Sequence, residues 1–455
     1  MTARKILCLG DLHLGRPPSR LPAAVDPEVA SVAAVWRRAV DLALAEEVGL
    51  VLLSGDVVDR ANRFFEGFGR LEEGTRRLTE AGIEVCAVAG NHDFDVLPRL
   101  VEALGGERFH LLGAGGRWQR WSWRGPGGEA LLHVDGWSFP ARDVREDPVA
   151  GYDGAPPEDD APLLGLVHGD LGQPASTNAP LAKANLERAA PSAWLLGHVH
   201  KPELFELTGG RWALYPGSPQ PLDPTEQGPH GAWLLELEAG SLGRPRQVPL
   251  ATVRWEGLEV DLSGVEDGEA AEGRIAGAVR EAAGRLSEGG PSAPEWLLLR
   301  AVLTGRTGAF RELPALARRL EEDDPLEVAA GDGRARLVEV GVAARPAADL
   351  TMLAGGDGPP ALLAELLLAL EPSSAEPADA GESASASLDP AIDGDLLARA
   401  EARVAEVHGA RPYADFEDGI SGAVPAAGHL AEAARSLLDA LLAQKADRRG
   451  PERPA

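Results

Sequence analysis

Cysteine is nearly absent from this chain: there are two, Cys8 and Cys86. Two thiols cannot make a disulfide framework. Each sits inside an apolar run that reads as a strand, so both are expected as buried thiols in a reducing compartment. The same shortage excludes a thiolate-rich structural zinc site. Positive charge is short as well. Against 71 Asp and Glu stand 44 Lys and Arg, a formal net charge of −27, so the chain lacks the basic footprint of tight non-specific nucleic-acid binding unless its cations cluster locally. Long apolar runs are also missing. None approaches the roughly 20 residues that cross a bilayer, and Asp11 interrupts the run Lys5 to Gly10 before it could serve as a signal peptide. A cytoplasmic address without membrane association is expected.

What the chain does have is length. Its 455 residues, 44% of them hydrophobic and 25% charged, suit a globular protein of about three domains. Lys5 to Leu9, Leu50 to Ser54 and Ile83 to Ala89 read as buried strands separated by helices over 28–47 and 64–81, and this alternation predicts parallel pairing through right-handed crossovers. After residue 105 shorter segments rich in Trp and Gly (Trp118, Trp121, Trp123, Leu131 to Val134) predict antiparallel strands in a second sheet. Further strands are expected at 163–167, 194–196, 212–215 and 231–237, with a helix near 181–190, and the first domain at 1–254. Residues 255–345 alternate strands (258–262, 297–303, 334–342) with helices (270–286, 313–321), an α+β pattern. Residues 346–455 read as helical at 360–370, 393–407 and 428–445, with a flexible linker of Ser, Ala, Pro and acidic residues at 371–390.

Five of the apolar runs end alike, in Gly or Asp beside metal-competent side chains. They are Asp11-Leu12-His13, Gly55-Asp56, Gly90-Asn91-His92-Asp93, His168-Gly169-Asp170 and Gly197-His198-Val199-His200. Singly, each has an ordinary reading: Gly-Asp is a common turn, and His-x-His is often a surface pair. Together they place five of the ten histidines at strand ends, the edge where ligands gather in open α/β sheets. Residues at i and i+2 of an extended segment project alike, so His198 and His200 can reach one ion or two adjacent ones. A mixed carboxylate, imidazole and amide set suits manganese, iron or zinc. Two such ions about 3.5–4 Å apart fit phosphoester hydrolysis. One carboxylate must then bridge them, and a histidine that is not a ligand can protonate or orient the leaving oxygen.

These motifs resemble the five signatures of the calcineurin-like metallophosphoesterases. The resemblance implies an α/β fold, a four-layer αββα sandwich, here with a smaller α+β capping domain and a helical C-terminal region. It implies that Asp11, His13 and His200 hold a first metal, Asn91, His168 and His198 a second, and that Asp56 bridges them. His92 would be the catalytic histidine and Asp93 the carboxylate paired with it. Over roughly 1–345 the chain is also similar to the SbcD-type DNA repair exonucleases, in particular their YhaO-like branch, through Asn62-Arg63-Phe64-Phe65, Tyr215 to Pro221, Thr225 to Gly231 and Val253-Arg254-Trp255. That implies a Mn²⁺-dependent nuclease subunit, exonuclease or endonuclease, acting on DNA ends in repair. Its C-terminal helices would dock on an SbcC-like coiled-coil ATPase that supplies the missing basic surface, and relatives of this type are commonly homodimers. Two departures stand out. Asp59 replaces a histidine of archaeal and eukaryotic relatives, and Gly55 to Arg60 is also close to the protein serine/threonine phosphatase signature, although those enzymes carry Glu where Asp93 stands. A calcineurin-like phosphodiesterase or phosphoprotein phosphatase with non-DNA substrates is therefore the alternative, and a metal-binding scaffold the third reading. Arg16, Arg20, Arg60 and Arg63 are loop cations that could contact phosphates beside the metals, with solvated surface the ordinary reading of any one of them.

Overall fold

The computed structural model describes residues 4–59, 64–238, 240–287, 293–348, 350–370 and 426–448. The expected linker at 371–390, the expected helix at 393–407, Arg60 and Arg63 lie outside them. The chain divides into two compact units: Met1–Leu258 with Gly277–Ala301 and Leu320–Glu339, and Glu259–Ala276 with Val302–Arg319 and Val340–Ala455.

The first unit is built on two sheets. Strands β1 (Arg4–Leu9), β2 (Leu50–Leu53) and β3 (Glu84–Ala87) pair in parallel and in chain order, as the alternation predicted, and β4 (Phe109–Leu111), which the sequence reading did not expect, joins β3 in parallel. They are linked through helices α1 (Val32–Ala45), α2 (Phe64–Glu80) and α3 (Leu97–Leu104). Helix α1 starts later than expected because Ser31 caps it, its hydroxyl accepting the Ala34 N–H at 3.1 Å. The second sheet uses β5 (Gln119–Arg124), β6 (Ala130–Trp137), β7 (Leu163–His168), β10 (Ala193–Gly197), β11 (Glu203–Glu206) and β12 (Trp212–Tyr215) in the order β11-β12-β10-β7-β6-β5. A short pair, β8 (Asp170–Leu171) and β9 (Pro180–Leu181), and helix α4 (Lys183–Arg188) lie between β7 and β10. The Trp- and Gly-rich segments pair antiparallel as expected, β5 with β6, and β11 with β12 does the same at the other edge, while the inner pairs β6 with β7, β7 with β10 and β10 with β12 are parallel. Strand β13 (Gly231–Glu238) returns antiparallel to β1, followed by β14 (Ser241–Leu242) and β15 (Arg246–Pro249).

Alternation along β1 shows how the layers stack. Leu7 and Leu9 pack with Val35, Trp36, Val40 and Leu71 of α1 and α2. Ile6 and Cys8 face the other way, joining Leu50, Leu52 and Cys86 against Leu132, Val134, Leu164, Leu166 and Leu195 of the second sheet. Beyond that sheet Val167, Trp194 and Leu196 pack with Leu186 of α4. The order is helices, sheet, sheet, helix, the expected four-layer αββα sandwich. Both strands' faces are apolar because both are covered. Burial pushes the Cys8 thiol up to about 12, in keeping with a core residue.

The rest of the chain supplies β16 (Val253–Asp261), α5 (Gly268–Ser287), β17 (Trp296–Thr304), β18 (Arg306–Thr307), α6 (Leu313–Arg318), β19 (Glu327–Ala330), β20 (Gly333–Val342) and β21 (Arg345–Pro346). Strand β19 has no counterpart in the sequence reading. In the second unit α7 (Leu350–Ala354), α8 (Pro359–Leu370) and α9 (Ala426–Arg448) pack around Leu367, Ala431, Ala434 and Leu438. Asp439 of α9 accepts hydrogen bonds from Arg306 at 2.9 Å and Arg345 at 3.0 Å. Met352, Leu362, Leu368 and Leu437 stay exposed. No helix among the described residues is long and apolar enough to cross a membrane.

Candidate metal centre

Parallel strands bring their C-terminal ends to one edge, and each expected ligand follows such an end. The loops after β1 and β2 run side by side: the Asp11 N–H donates to Gly55 O at 3.2 Å and the His13 N–H to Asp56 O at 2.8 Å. The two sheets meet there too, with His168 Nδ1 at 3.0 Å from Ser54 O. A Cβ on Gly197 would collide with that same Ser54 carbonyl and lie 2.5 Å from His168 Nδ1, so the glycine opening the last motif is required by packing. Backbone strain concentrates at the site. Asp11, His13, Asp56 and His198 have φ of 47°, 48°, 49° and 97°, a region that side-chain-bearing residues adopt at a cost of about 1–3 kcal/mol each.

Asp11, His13 and His200 offer donor atoms within 4.8 Å of one another, with His13 Nε2 and His200 Nε2 3.1 Å apart. Two nitrogens bound at roughly 2.1 Å on adjacent corners of an octahedron stand about 3 Å apart. His168 Nε2 lies 3.1 Å from Asn91 Oδ1, and the His168 and His198 rings are 5.4 Å apart between centroids. Asp56 stands between the two groups, its Oδ2 3.4 Å from His168 Nε2 and 3.7 Å from His13 Nε2. Buried Asp11 Oδ2 and His13 Nδ1 have no hydrogen-bond partner among the described residues. Converging donors and an orphaned carboxylate oxygen fit a pair of divalent ions. Such ions would supply Lewis acidity and lower the pKa of bound water.

The electrostatics suit ligation. Burial, then the nearby His168, lowers the His198 pKa to about 4, and burial holds His13 well below the usual histidine range; both are neutral donors at pH 7. Burial opposes charge on Asp56, but the imidazoles of His168, His13 and His92 outweigh it and hold the carboxyl well below its ordinary value. Burial also disfavours the His168 imidazolium, yet Asp56 and Asp11 raise its pKa to about 9. An ion arriving there must displace a proton, so metal binding is linked to pH.

His92 differs from the other four histidines. Its side chain is 38% exposed, and its ring stands perpendicular to that of His13 at 4.8 Å. It borders the metal cluster while facing solvent, where a group that protonates a leaving oxygen belongs. Asp93, expected beside the His92 ring, is directed elsewhere. It accepts the backbone N–H groups of Val57 at 2.7 Å, Val58 at 3.3 Å and Gly90 at 2.8 Å, tying two ligand loops together. The carboxylate facing His92 is Asp59, with Oδ2 3.9 Å from its Nδ1 and 3.8 Å from His13 Nδ1. Two neighbours escaped the sequence reading: Asp170, 3.9 Å from His198 Nε2, and Glu226, 2.7 Å from His200 Nδ1. Asp170 had a signal, since it directly follows His168-Gly169; Glu226 lies in Thr225 to Gly231, a stretch that the sequence reading used only for its resemblance.

Residues 4–202 match the calcineurin-like phosphoesterase family. The fold and the paired ligand clusters of the N-terminal part of the chain agree with that match. Among curated relatives, the uncharacterized metallophosphoesterase YhaO of Bacillus subtilis is 29% identical over 268 residues, covering 56% of this chain and 62% of YhaO. The DNA double-strand break repair protein Mre11 of Haloferax volcanii is 29% identical over 289 residues, 60% of this chain and 58% of that protein. Mre11 of Methanopyrus kandleri is 25% identical over 342 residues, 70% and 72%. The chain thus spans about three fifths of the length of the first two relatives.

Proposed function

We propose that the protein is a metal-dependent DNA nuclease subunit, exonuclease or endonuclease, that hydrolyses phosphodiester bonds at DNA ends during repair, with Mn²⁺ as its working ion. The observation that carries phosphoester hydrolysis is Asp56 Oδ2, shared between His168 and His13 at 3.4 and 3.7 Å with solvent-facing His92 alongside. One carboxylate between two ions, plus a proton-carrying imidazole, suits an in-line displacement at phosphorus. The choice of DNA is supported by two relatives that are named DNA double-strand break repair proteins. The alignment with the Methanopyrus protein, at 342 residues, extends beyond the segment 4–202.

In this proposal residues 1–254 are the nuclease domain, 255–345 cap it, and 346–455 dock on a coiled-coil ATPase of the SbcC type. Exposed Met352, Leu362, Leu368 and Leu437 on α7, α8 and α9 support that docking. The net charge of −27 supports a partner that carries the basic surface. The test is the full chain with Mn²⁺, offered 3′-labelled duplex and hairpin DNA beside bis-p-nitrophenyl phosphate and a phosphopeptide. DNA cleavage that His92→Ala abolishes is expected. Intact DNA together with hydrolysis of the small diester or the phosphopeptide would replace this reading by the phosphodiesterase or phosphatase alternative.

A further inference from the structure

The segment Thr225 to Gly231 enters the sequence reading only through its resemblance to the exonucleases, yet it carries a carboxylate into the back of the metal centre. The Glu226 side chain is only 13% exposed. Its Oε1 lies 2.7 Å from Nδ1 of His200. Its Oε2 accepts from the Ser218 hydroxyl at 2.7 Å and from the Leu222 N–H at 3.0 Å. The Ser218 N–H in turn donates to the His200 carbonyl at 2.9 Å. His200 is therefore gripped through both its ring and its main chain by the loop after β12, while its Nε2 faces His13 Nε2 at 3.1 Å.

We infer that Glu226 is a positioning residue for the first metal: it fixes the Nδ1–H tautomer of His200, aims Nε2 at the ion shared with Asp11 and His13, and strengthens the imidazole as a donor through its charge. The inference rests on the metal-centre reading. What makes it specific is the contrast with the other ligands. His168 Nδ1 is held by a neutral acceptor, the Ser54 carbonyl, and His13 Nδ1 has no hydrogen-bond partner. Among the described residues, only the first metal's group has an imidazole backed by a carboxylate hydrogen bond of 2.7 Å. Glu226 thereby sets the affinity of that site independently of the other.

The test is Mn²⁺ binding to the full chain by calorimetry and by metal content after dialysis, for wild type, His200→Ala, Glu226→Gln and Glu226→Ala. Glutamine keeps an acceptor for Nδ1–H and removes the charge; alanine removes both. Glu226→Ala should weaken one of two sites by roughly 10–100-fold, Glu226→Gln less, with the second site unchanged. Excess Mn²⁺ should restore hydrolysis in Glu226→Gln and not in His200→Ala. Two sites of wild-type affinity in both Glu226 variants would overturn the inference and leave the metal-centre reading standing. Equal loss at both sites with a lowered melting temperature of the metal-free protein would reduce Glu226 to a structural role. Wild type that binds no ion would overturn the metal-centre reading itself.

Discussion

The carboxylate of Asp56 and the backbone of His92 are joined by a hydrogen bond: the His92 N–H donates to Asp56 Oδ1 at 2.9 Å, leaving Oδ2 to face His168 and His13. Asp56→Asn keeps an acceptor for that N–H and removes the anion between the imidazoles. Bound Mn²⁺ should fall below two ions per chain and hydrolysis by more than about 100-fold, because a bridging ligand should matter more than the outer-shell partners whose loss costs 10–100-fold. A native circular dichroism spectrum would show that the fold survives. Two retained ions would exclude the bridging role.

His92 borders the cluster without the burial of the ligand rings. His92→Asn should leave metal content at the wild-type level and lower the hydrolysis rate by roughly 10²–10⁴-fold, the usual worth of general acid–base catalysis. Loss of metal in this variant would make His92 a ligand instead.

Asp93 distinguishes a brace from a catalytic partner. Both its oxygens accept backbone N–H groups, so Asp93→Asn must turn an amide NH₂ toward at least one buried donor, at a cost of about 1–3 kcal/mol. A lower urea midpoint is expected. A shifted pH–rate profile at unchanged stability would instead restore the expected pairing with His92.

His230 gives the pH dependence a sign. It is 1% exposed, with Nδ1 2.7 Å from the Ser218 carbonyl. Burial keeps its pKa below the ordinary 6.5, against the opposing pull of Ser218 and Glu226. The unfolded chain therefore takes up this proton first as pH falls through about 6.5, and stability drops on the acid side. Urea unfolding of metal-free protein between pH 7 and 5 should show a shallower loss for His230→Gln than for wild type. Parallel curves would remove His230 from the acid transition.

The central parallel strands and the residues that cluster at their ends could be read from the chain because each signal is local. Apolar residues on both faces of Leu7, Cys8 and Leu9 require cover on both sides, and a Gly or Asp that ends such a strand puts the next side chain at the sheet edge. Where those side chains point was not local. Asn91, His92 and Asp93 are neighbours in the chain, yet one meets His168, one faces solvent and one turns back to three backbone N–H groups. The Trp- and Gly-rich texture after residue 105 announced the antiparallel pair β5 and β6, but not the parallel pairing of the strands that follow, whose connections over 138–162 and 169–192 are long enough for parallel return.

By itself the sequence placed Asp11, His13, Asp56, Asn91, His92, His168, His198 and His200 at strand ends, and the resemblance carried by those motifs implied the layered α/β architecture and the role expected of each residue. The tertiary structure decided the rest: Asp56 between the two clusters, Asp93 as a brace, Asp59 facing His92, and Glu226 behind His200. Each of these is a contact between segments whose approach depends on the packing of two sheets and on left-handed backbone at Asp11, His13, Asp56 and His198, and such approach distances are written nowhere in the local pattern.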